Sequence, residues 1–424
     1  MKIDMNINIS HIARVEGHGD IHIKVKDGRL VEAKWSVVET PRFFEVMLKN
    51  KSIEMAPLIV SRICGICSVS HTLASLRAIE NALSVAPPHI AEKLRLLALN
   101  AEILQSHSLH LFFLAMPDFY NEHSAIPLMK RKNEMYESAL RIRGLANLMC
   151  ELIGGRTTHP VSFCIGGIRK TPTTEEYLTL IESLSKIITD LEFASEIFES
   201  LQMPDFQRDT EFVSLKGENN YNLIGGSLVS SDGVKKNEND YLAMTNEYTV
   251  DFSTSKHARL SRDSFAAGPL ARINNNYNFL HPAAKDEAEK FNLKPPNHNP
   301  FMNNIARLVE CFHVVYDSIL LLEEVIEDKS NDLISDFSIS EAEGISAIEA
   351  PRGILYHHYE INKKGKIEKA NCVIPTTQNN ANIHLDLYAL VKEELAKGKT
   401  DNEITRLSEM LVRSYDPCIS CSVH

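Results

Sequence analysis

Between His89 and Met116 apolar residues recur at three- and four-residue steps: Leu94, Leu97, Ala98, Ala101, Leu104, Leu111 and Leu114. That is the period of one buried helix face, and it predicts a long helix over about 89–116, closed by Pro117. The same reasoning predicts helices over 70–85, stopped by Pro87 and Pro88, and over about 128–153, ending at Gly154-Gly155. A further helix is predicted over 174–202, with Thr173 or Thr174 and the acids after them marking its start and Pro204 its stop. Others are predicted over 300–329, 382–397 and 401–414. The beginning of the chain alternates instead. DIHIKV, a turn at Asp27-Gly28 and RLVEAKWSVV predict a β-hairpin. GILYHHYEINKKGKIEKANCVIP predicts a second, turning near Lys364-Gly365. Residues 205–281 are dense in Asn, Ser and Gly and predict short strands and loops. The expected fold class is α+β, predominantly α: a long central helix bundle with small peripheral β-hairpins and sheets. No stretch has linker composition, so one unit is expected across 1–424. It comprises an N-terminal β-hairpin region (1–60), a helical core (70–204 and 300–414) and an irregular α/β insertion (205–299).

Composition narrows the partners. The chain has 424 residues, 44% hydrophobic and 24% charged, with a net charge of −11. That balance fits a globular protein and lacks the basic footprint of a nucleic-acid binder. No run reaches the roughly 20 apolar residues of a membrane span, and the first twenty residues lack the apolar core of a signal peptide. A cytoplasmic location is the expectation. In such a chain the eight cysteines read as metal ligands or buried thiols rather than disulfides.

Four of them form two Cys-x-x-Cys pairs. Arg62-Ile63-Cys64-Gly65-Ile66-Cys67 is followed by His71; Asp416-Pro417-Cys418-Ile419-Ser420-Cys421 is followed by His424. Each pair can point two thiolates at one metal. The pairs are separated by most of the chain, a poor spacing for a small zinc module that staples a short loop. It suits a site closed only when the whole chain has folded. Structural zinc, an iron–sulfur cluster and a catalytic metal all remain open on spacing alone. The flanking Arg62, His71, Asp416 and His424 favour a site that handles protons and small anions.

The chain resembles the large subunit of nickel–iron hydrogenases. The resemblance is carried, in order, by RVEGHGDIHI (14–23), PRFFE (41–45), RICGICSVSH (62–71), SHSLHLFFLAMPD (106–118), EAPRGIL (349–355), CVIPTT (372–377) and DPCISCSVH (416–424). PRFFE, TTQNN and DPCISCSVH are most similar to the soluble cytoplasmic group: sulfhydrogenase-like, heterodisulfide-reductase-linked and NAD(P)-coupled enzymes. Gln378 stands where many membrane-bound relatives carry tryptophan, in keeping with that group.

The resemblance implies reversible heterolytic cleavage of H2. Cys64 and Cys418 would be terminal nickel ligands, and Cys67 and Cys421 would bridge nickel to an iron carrying carbon monoxide and two cyanides. Splitting H2 needs an acceptor for the hydride and a base for the proton, and thiolates can serve as that base. Glu16 would relay the proton beside Cys418; taken alone it reads as a surface or capping glutamate. Arg352 would stand over the open coordination site, with Pro351 shaping the wall and Asp118 and Asp416 pairing with the arginine. Each of these is otherwise an ordinary salt bridge. Thr376 would donate to a cyanide, and His71 toward a bridging sulfur. Glu45, His424 and the backbone carbonyl of Cys372 would hold a separate Mg2+ (or Fe2+) ion. Cys150, Cys164 and Cys311 match no ligand motif, and His107 and His110 either line the site or pack.

The same resemblance implies partners: a small subunit carrying iron–sulfur clusters, further flavin- or nicotinamide-binding or other electron-transfer subunits, metal-insertion proteins and a maturation protease. Family precursors extend past the final histidine, so ending at His424 is the expectation for a processed form. Two rival readings keep a metal without turnover: a structural zinc protein and a hydrogen-sensing subunit. The quinone-site subunit of respiratory complex I resembles this fold but lacks the cysteines.

Overall fold

The computed structural model describes residues 4–328, 330 and 332–424. Strands β1 (Met5–Ile9), β2 (Gly19–Lys26) and β3 (Arg29–Val37) form an antiparallel meander. The β2–β3 turn is the predicted one. Asp27 and Gly28 both have positive φ (53° and 73°), the pair of left-handed residues that a tight hairpin with native twist requires.

The predicted long helices are present: α1 (Ser68–Leu83), α2 (His89–Leu109), α3 (Asn133–Gly154), α4 (Thr174–Glu199) and α5 (Asn303–Glu327). Helices α2, α3, α4 and α5 close a ring, each packed on two of the others. Thr173 and Glu176 form a reciprocal cap at the start of α4. Position 329, the predicted end of α5, lies outside the described residues.

Three elements differ from the sequence reading. Pro117 does not end the helix begun at His89. The chain passes through a π-helical turn, His110–Ala115, into a last turn, Met116–Phe119. Pro117 sits at the start of that turn, where its missing N–H is not needed, and Arg14 Nη1 donates to the Leu114 carbonyl (2.5 Å). The helix predicted over 128–153 is broken at Lys132, between Ala125–Arg131 and α3. Finally, helix Pro269–Asn276 lies within 205–281, where short strands and loops were expected, while helix Pro282–Lys290 falls in the remainder of the α/β insertion.

Strands β4 (Ala342–Ala350), β5 (Gly353–Ile361) and β6 (Ile367–Val373) form a second antiparallel meander, so the predicted hairpin gains a third strand. Strand β5 is covered on both faces. Ile354 and Tyr356 join a small core with Val213, Leu215 and Phe265. Leu355, Tyr359 and Ile361 join the main core, against which α1 also packs. Helix α6 (Pro375–Ala396) starts seven residues before the predicted 382. Its first turns read Thr-Thr-Gln-Asn-Asn-Ala-Asn, with no apolar period, because buried amides replace apolar contacts there. Gln378 Nε2 donates to Ile354 O (2.6 Å), Asn379 Oδ1 accepts from Ala267 N–H (2.8 Å), Asn380 Oδ1 from Trp35 Nε1 (3.0 Å), and Asn382 donates to Tyr415 OH (2.7 Å). Helix α7 (Asp401–Ser414) is reciprocally capped by Thr400 and Glu403.

Candidate metal centre

Cys64 follows a single 3-10 turn (Ser61–Ile63), and Cys67 is the N-cap of α1. The Ile66 and Cys67 N–H groups point at Cys64 Sγ (3.3 and 3.5 Å). Cys418 caps the short helix Ile419–Ser422, and Cys421 lies within it. The two pairs converge. Cys64 Sγ lies 3.4 Å from Cys418 Sγ, Cys67 Sγ lies 3.7 Å from Cys421 Sγ, and all four sulfurs fall within 4.8 Å of one another. All four residues are buried and none forms a disulfide. Two separate ions, one per pair, are incompatible with this geometry.

The sulfurs cannot all ionise against one another. Hydrogen bonds from Cys418, Cys421 and Cys67, helped by the Arg352 charge, hold the Cys64 thiol well below its ordinary range. Burial and a neighbouring thiolate push Cys418 and Cys421 well above it. Four adjacent soft donors with charge for only one thiolate are a set that a soft transition metal completes.

Arg352 closes one wall of a narrow cavity lined also by Cys67, Cys418, Cys421, His71 and Thr376. Its Nε donates to the Asp416 carbonyl (2.6 Å) and Nη2 to Asp416 Oδ1 (3.0 Å). Nη1 is buried with no protein partner, a donor left free for a group in the cavity. Arg272 holds the turn before it, donating to Ala350 O (2.9 Å) and Pro351 O (3.2 Å) from a buried network with Glu310 and Glu349. Thr376 Oγ1 accepts from Cys418 N–H (2.9 Å), leaving its own proton free.

Asp118 is not a partner of Arg352, as the sequence reading had it. Its carboxylate is held by Arg413 Nε and Nη2 (both 2.7 Å) and by Arg14 Nη2 (2.5 Å). The last turn, Met116–Phe119, turns it toward α7, and Asp416 alone serves Arg352. His107 and His110 do not line the cavity either: His107 Nε2 lies 2.7 Å from Glu310, and His110 Nε2 donates to Arg413 O (2.7 Å). Burial raises the thiols of Cys150, Cys164 and Cys311, so they stay protonated.

Glu16 and Cys418 meet in a parallel backbone bridge. The Glu16 carboxylate accepts from Ser420 N–H (3.0 Å) and from the Ser420 hydroxyl. At the other side of the tail, His424 Nε2 lies 3.6 Å from Glu45 Oε1, which also accepts Cys372 N–H (2.7 Å). Burial alone would raise Glu45, but His424 and that N–H bring it below the ordinary carboxylate range.

Several residues that build the site were not singled out from the sequence. Arg42, in PRFFE, donates to Ile63 O (2.7 Å) and to Ser420 O, and so ties the two cysteine segments together. Glu102 on α2 accepts Val69 N–H (2.6 Å) and Ser70 N–H (2.9 Å) and caps α1 just past Cys67. His71 Nδ1 lies 3.2 Å from His357 Nε2. Arg42 and His357 sit inside or beside the matching motifs; only Glu102 left no sequence signal.

Comparison with known proteins agrees with this geometry. A family profile described as nickel-dependent hydrogenase matches residues 42–135 and 188–424, and one described as HoxL-like matches 6–40. The alpha subunit of sulfhydrogenase 1 from Pyrococcus furiosus is 32% identical over 99% of this chain and 97% of its own. A vhc F420-non-reducing hydrogenase subunit from Methanococcus voltae is 30% identical over 99% and 94%. The crystal structure of an NAD+-reducing [NiFe]-hydrogenase superposes with a TM-score of 0.90 at 29% identity, covering 99% of each chain. The Ni-Fe-Se hydrogenase from Desulfomicrobium baculatum shares the fold (TM-score 0.79, 22% identity, 99% and 100% covered).

Proposed function

The chain belongs to the nickel-dependent hydrogenase family, and from that membership we propose that Cys64, Cys67, Cys418 and Cys421 hold a nickel–iron pair at which H2 is reversibly split. The observation that carries the assignment is the convergence of four sulfurs from the two ends of the chain within 4.8 Å. Cys64 and Cys418 are read as terminal nickel ligands and Cys67 and Cys421 as bridges to iron, whose other ligands are carbon monoxide and two cyanides. The metal pair, when bound, supplies the place where both electrons of H2 are taken up.

The chain's residues do the rest. The Cys418 thiolate accepts the proton, and Glu16, joined to that segment through Ser420, passes it outward. Arg352, oriented by Asp416 and flanked by Pro351, offers its free Nη1 to the cavity and suits an anionic diatomic ligand. Thr376 offers its hydroxyl to a second one. His71 turns toward a bridging sulfur. Asp118 acts at one remove, through Arg413. Glu45, His424 and the Cys372 carbonyl form a Mg2+ or Fe2+ site that pins the tail.

Electrons need a way out, and the relatives are named as subunits of larger enzymes. We propose a small subunit with iron–sulfur clusters, further flavin- or nicotinamide-binding subunits, and assembly by metal-insertion proteins and a maturation protease. No helix among the described residues is long and apolar enough to cross a membrane; the motif wording supports the cytoplasm. The test is the native complex. It should contain nickel and iron in near-stoichiometric amounts, reduce a dye under H2 and co-purify with an iron–sulfur subunit. Zinc in place of nickel, or nickel without H2 turnover, would sink the catalytic reading.

A further inference from the structure

A path of hydrogen bonds runs from His71, which lines the cavity of the sulfur cluster, deeper into the protein. Helix α1 presents His71 and Ser75 one turn apart, on one face. Strand β5 presents His357 and Tyr359 two residues apart, on the face turned to α1. His71 Nδ1 lies 3.2 Å from His357 Nε2, His357 Nδ1 lies 2.6 Å from the Tyr359 hydroxyl, and that hydroxyl lies 3.1 Å from Ser75 Oγ. None of the four residues is more than 1% exposed.

The polarity of this path is set at the metal end. With Nδ1 turned to His357, His71 keeps Nε2 for the cavity it shares with Cys67 and Cys421. A ligating sulfur is a thiolate and only accepts, so Nε2 carries the hydrogen. Both imidazoles are fully buried, and the partners of their ring nitrogens are each other and a tyrosine hydroxyl rather than a carboxylate, so both are neutral. Each ring therefore has one proton. His71 Nδ1 is bare and receives His357 Nε2–H. His357 Nδ1 is then bare in turn and receives the Tyr359 O–H. The Cys372 sulfur lies 3.7 Å from the same nitrogen, a weak contact beside the 2.6 Å one from Tyr359. The Tyr359 and Ser75 hydroxyls lie 3.1 Å apart, a contact that either can donate; with the tyrosine proton given to His357, Ser75 is left the donor.

We propose that Tyr359, acting through His357, is a positioning residue that locks the His71 tautomer with its N–H facing the bridging sulfurs. The proposal rests on the reading of Cys67 and Cys421 as metal ligands.

The test compares the native complex with Tyr359→Phe, Ser75→Ala, His357→Gln and the His357→Gln/Tyr359→Phe pair. Nickel content, the nickel EPR midpoint potential and histidine ring 15N shifts are read on each. Tyr359→Phe should keep its nickel and move the midpoint to more negative values, because a thiolate without an N–H donor places more electron density on the metal. It should also move the His357 proton from Nε2 to Nδ1. Ser75→Ala should match wild type in all three. On the His357→Gln background, where an amide N–H donates to His71 whatever stands at 359, adding Tyr359→Phe should change nothing further. A Tyr359→Phe complex with wild-type potential and tautomers overturns the proposal. An equal shift in Ser75→Ala also does, since it signals the opposite polarity. Should Tyr359→Phe not assemble, an added effect of that change on the glutamine background is the refuting result. Missing nickel in the wild type removes the underlying metal reading instead, and is told apart because it precedes any substitution.

Discussion

Replacing Asp118 with Asn is a direct test of how the two ends of the chain are held together. The carboxylate is 6% exposed and Arg413, its bidentate partner, 2%. Arg14 approaches the same oxygen as Arg413 Nη2, and Arg413 Nη1 also donates to Ala13 O (3.1 Å). Asn keeps the shape but loses the charge, and it turns an NH2 group toward a guanidinium N–H. Breaking a buried, hydrogen-bonded ion pair on one side leaves an uncompensated charge and costs about 3–5 kcal/mol. At roughly 2.1 cal/mol/K of unfolding entropy per residue, this chain should unfold with roughly 0.9 kcal/mol/K, so the loss corresponds to a Tm drop of about 3–6 °C. The site should respond as well, because Arg413 and Ala13 border the segments bearing Cys418 and Glu16; nickel content should fall. Differential scanning calorimetry of the complex, with metal analysis on the same sample, measures both. Glu182→Gln, which removes the partner of the exposed Lys186, is the control and should leave Tm nearly unchanged. A Tm drop for Asp118→Asn no larger than that control, with nickel retained, refutes the account of Asp118 as the clasp between the two ends.

Other expectations follow from the same geometry. Cys418→Ala should abolish nickel retention and H2-dependent dye reduction; nickel bound at wild-type level by three sulfurs would count against a four-sulfur site. Glu16→Gln should keep nickel but slow hydrogen–deuterium exchange with solvent, and normal exchange would remove Glu16 from the proton path. Acid should destabilise the fold through its buried histidines. Burial holds His71 to about 3 and His313 to about 4, below the roughly 6.5 of the unfolded chain. Below that pH the unfolded state binds more protons, so stability is complete above about 6.5 and declines as pH falls toward 3–4, by about 1.4 kcal/mol per unit per histidine. Denaturant midpoints flat between pH 7 and 5 would contradict this.

The helices and hairpins were legible wherever one face is apolar. The bundle α2–α5 and the Asp27-Gly28 turn follow from period and turn chemistry alone. Helix α6 was legible only from residue 382, because Gln378, Asn379, Asn380 and Asn382 are buried as hydrogen-bonding groups, and hydrophobic periodicity does not register amides with distant partners. The continuation past Pro117 was hidden for a related reason: the π-helical turn is supported by Arg14, about a hundred residues away in sequence. In the site, the motifs located the cysteines, Arg352 and Asp416. They misassigned the partner of Asp118, since a motif states that an acid is present but not which arginine reaches it.

The sulfur cage draws on both ends of the polypeptide, and this imposes a timetable on its making. At a synthesis rate of about 5–20 residues per second, Cys64 and Cys67 leave the ribosome roughly 20–70 seconds before Cys418 exists. Throughout that interval the two thiols have no partners from the tail and form only half of the cage. An enclosure built from all four sulfurs can therefore form only once translation has passed Cys421, and it is completed when the tail from Asp416 onward is clamped by Arg42, Glu16 and Glu45.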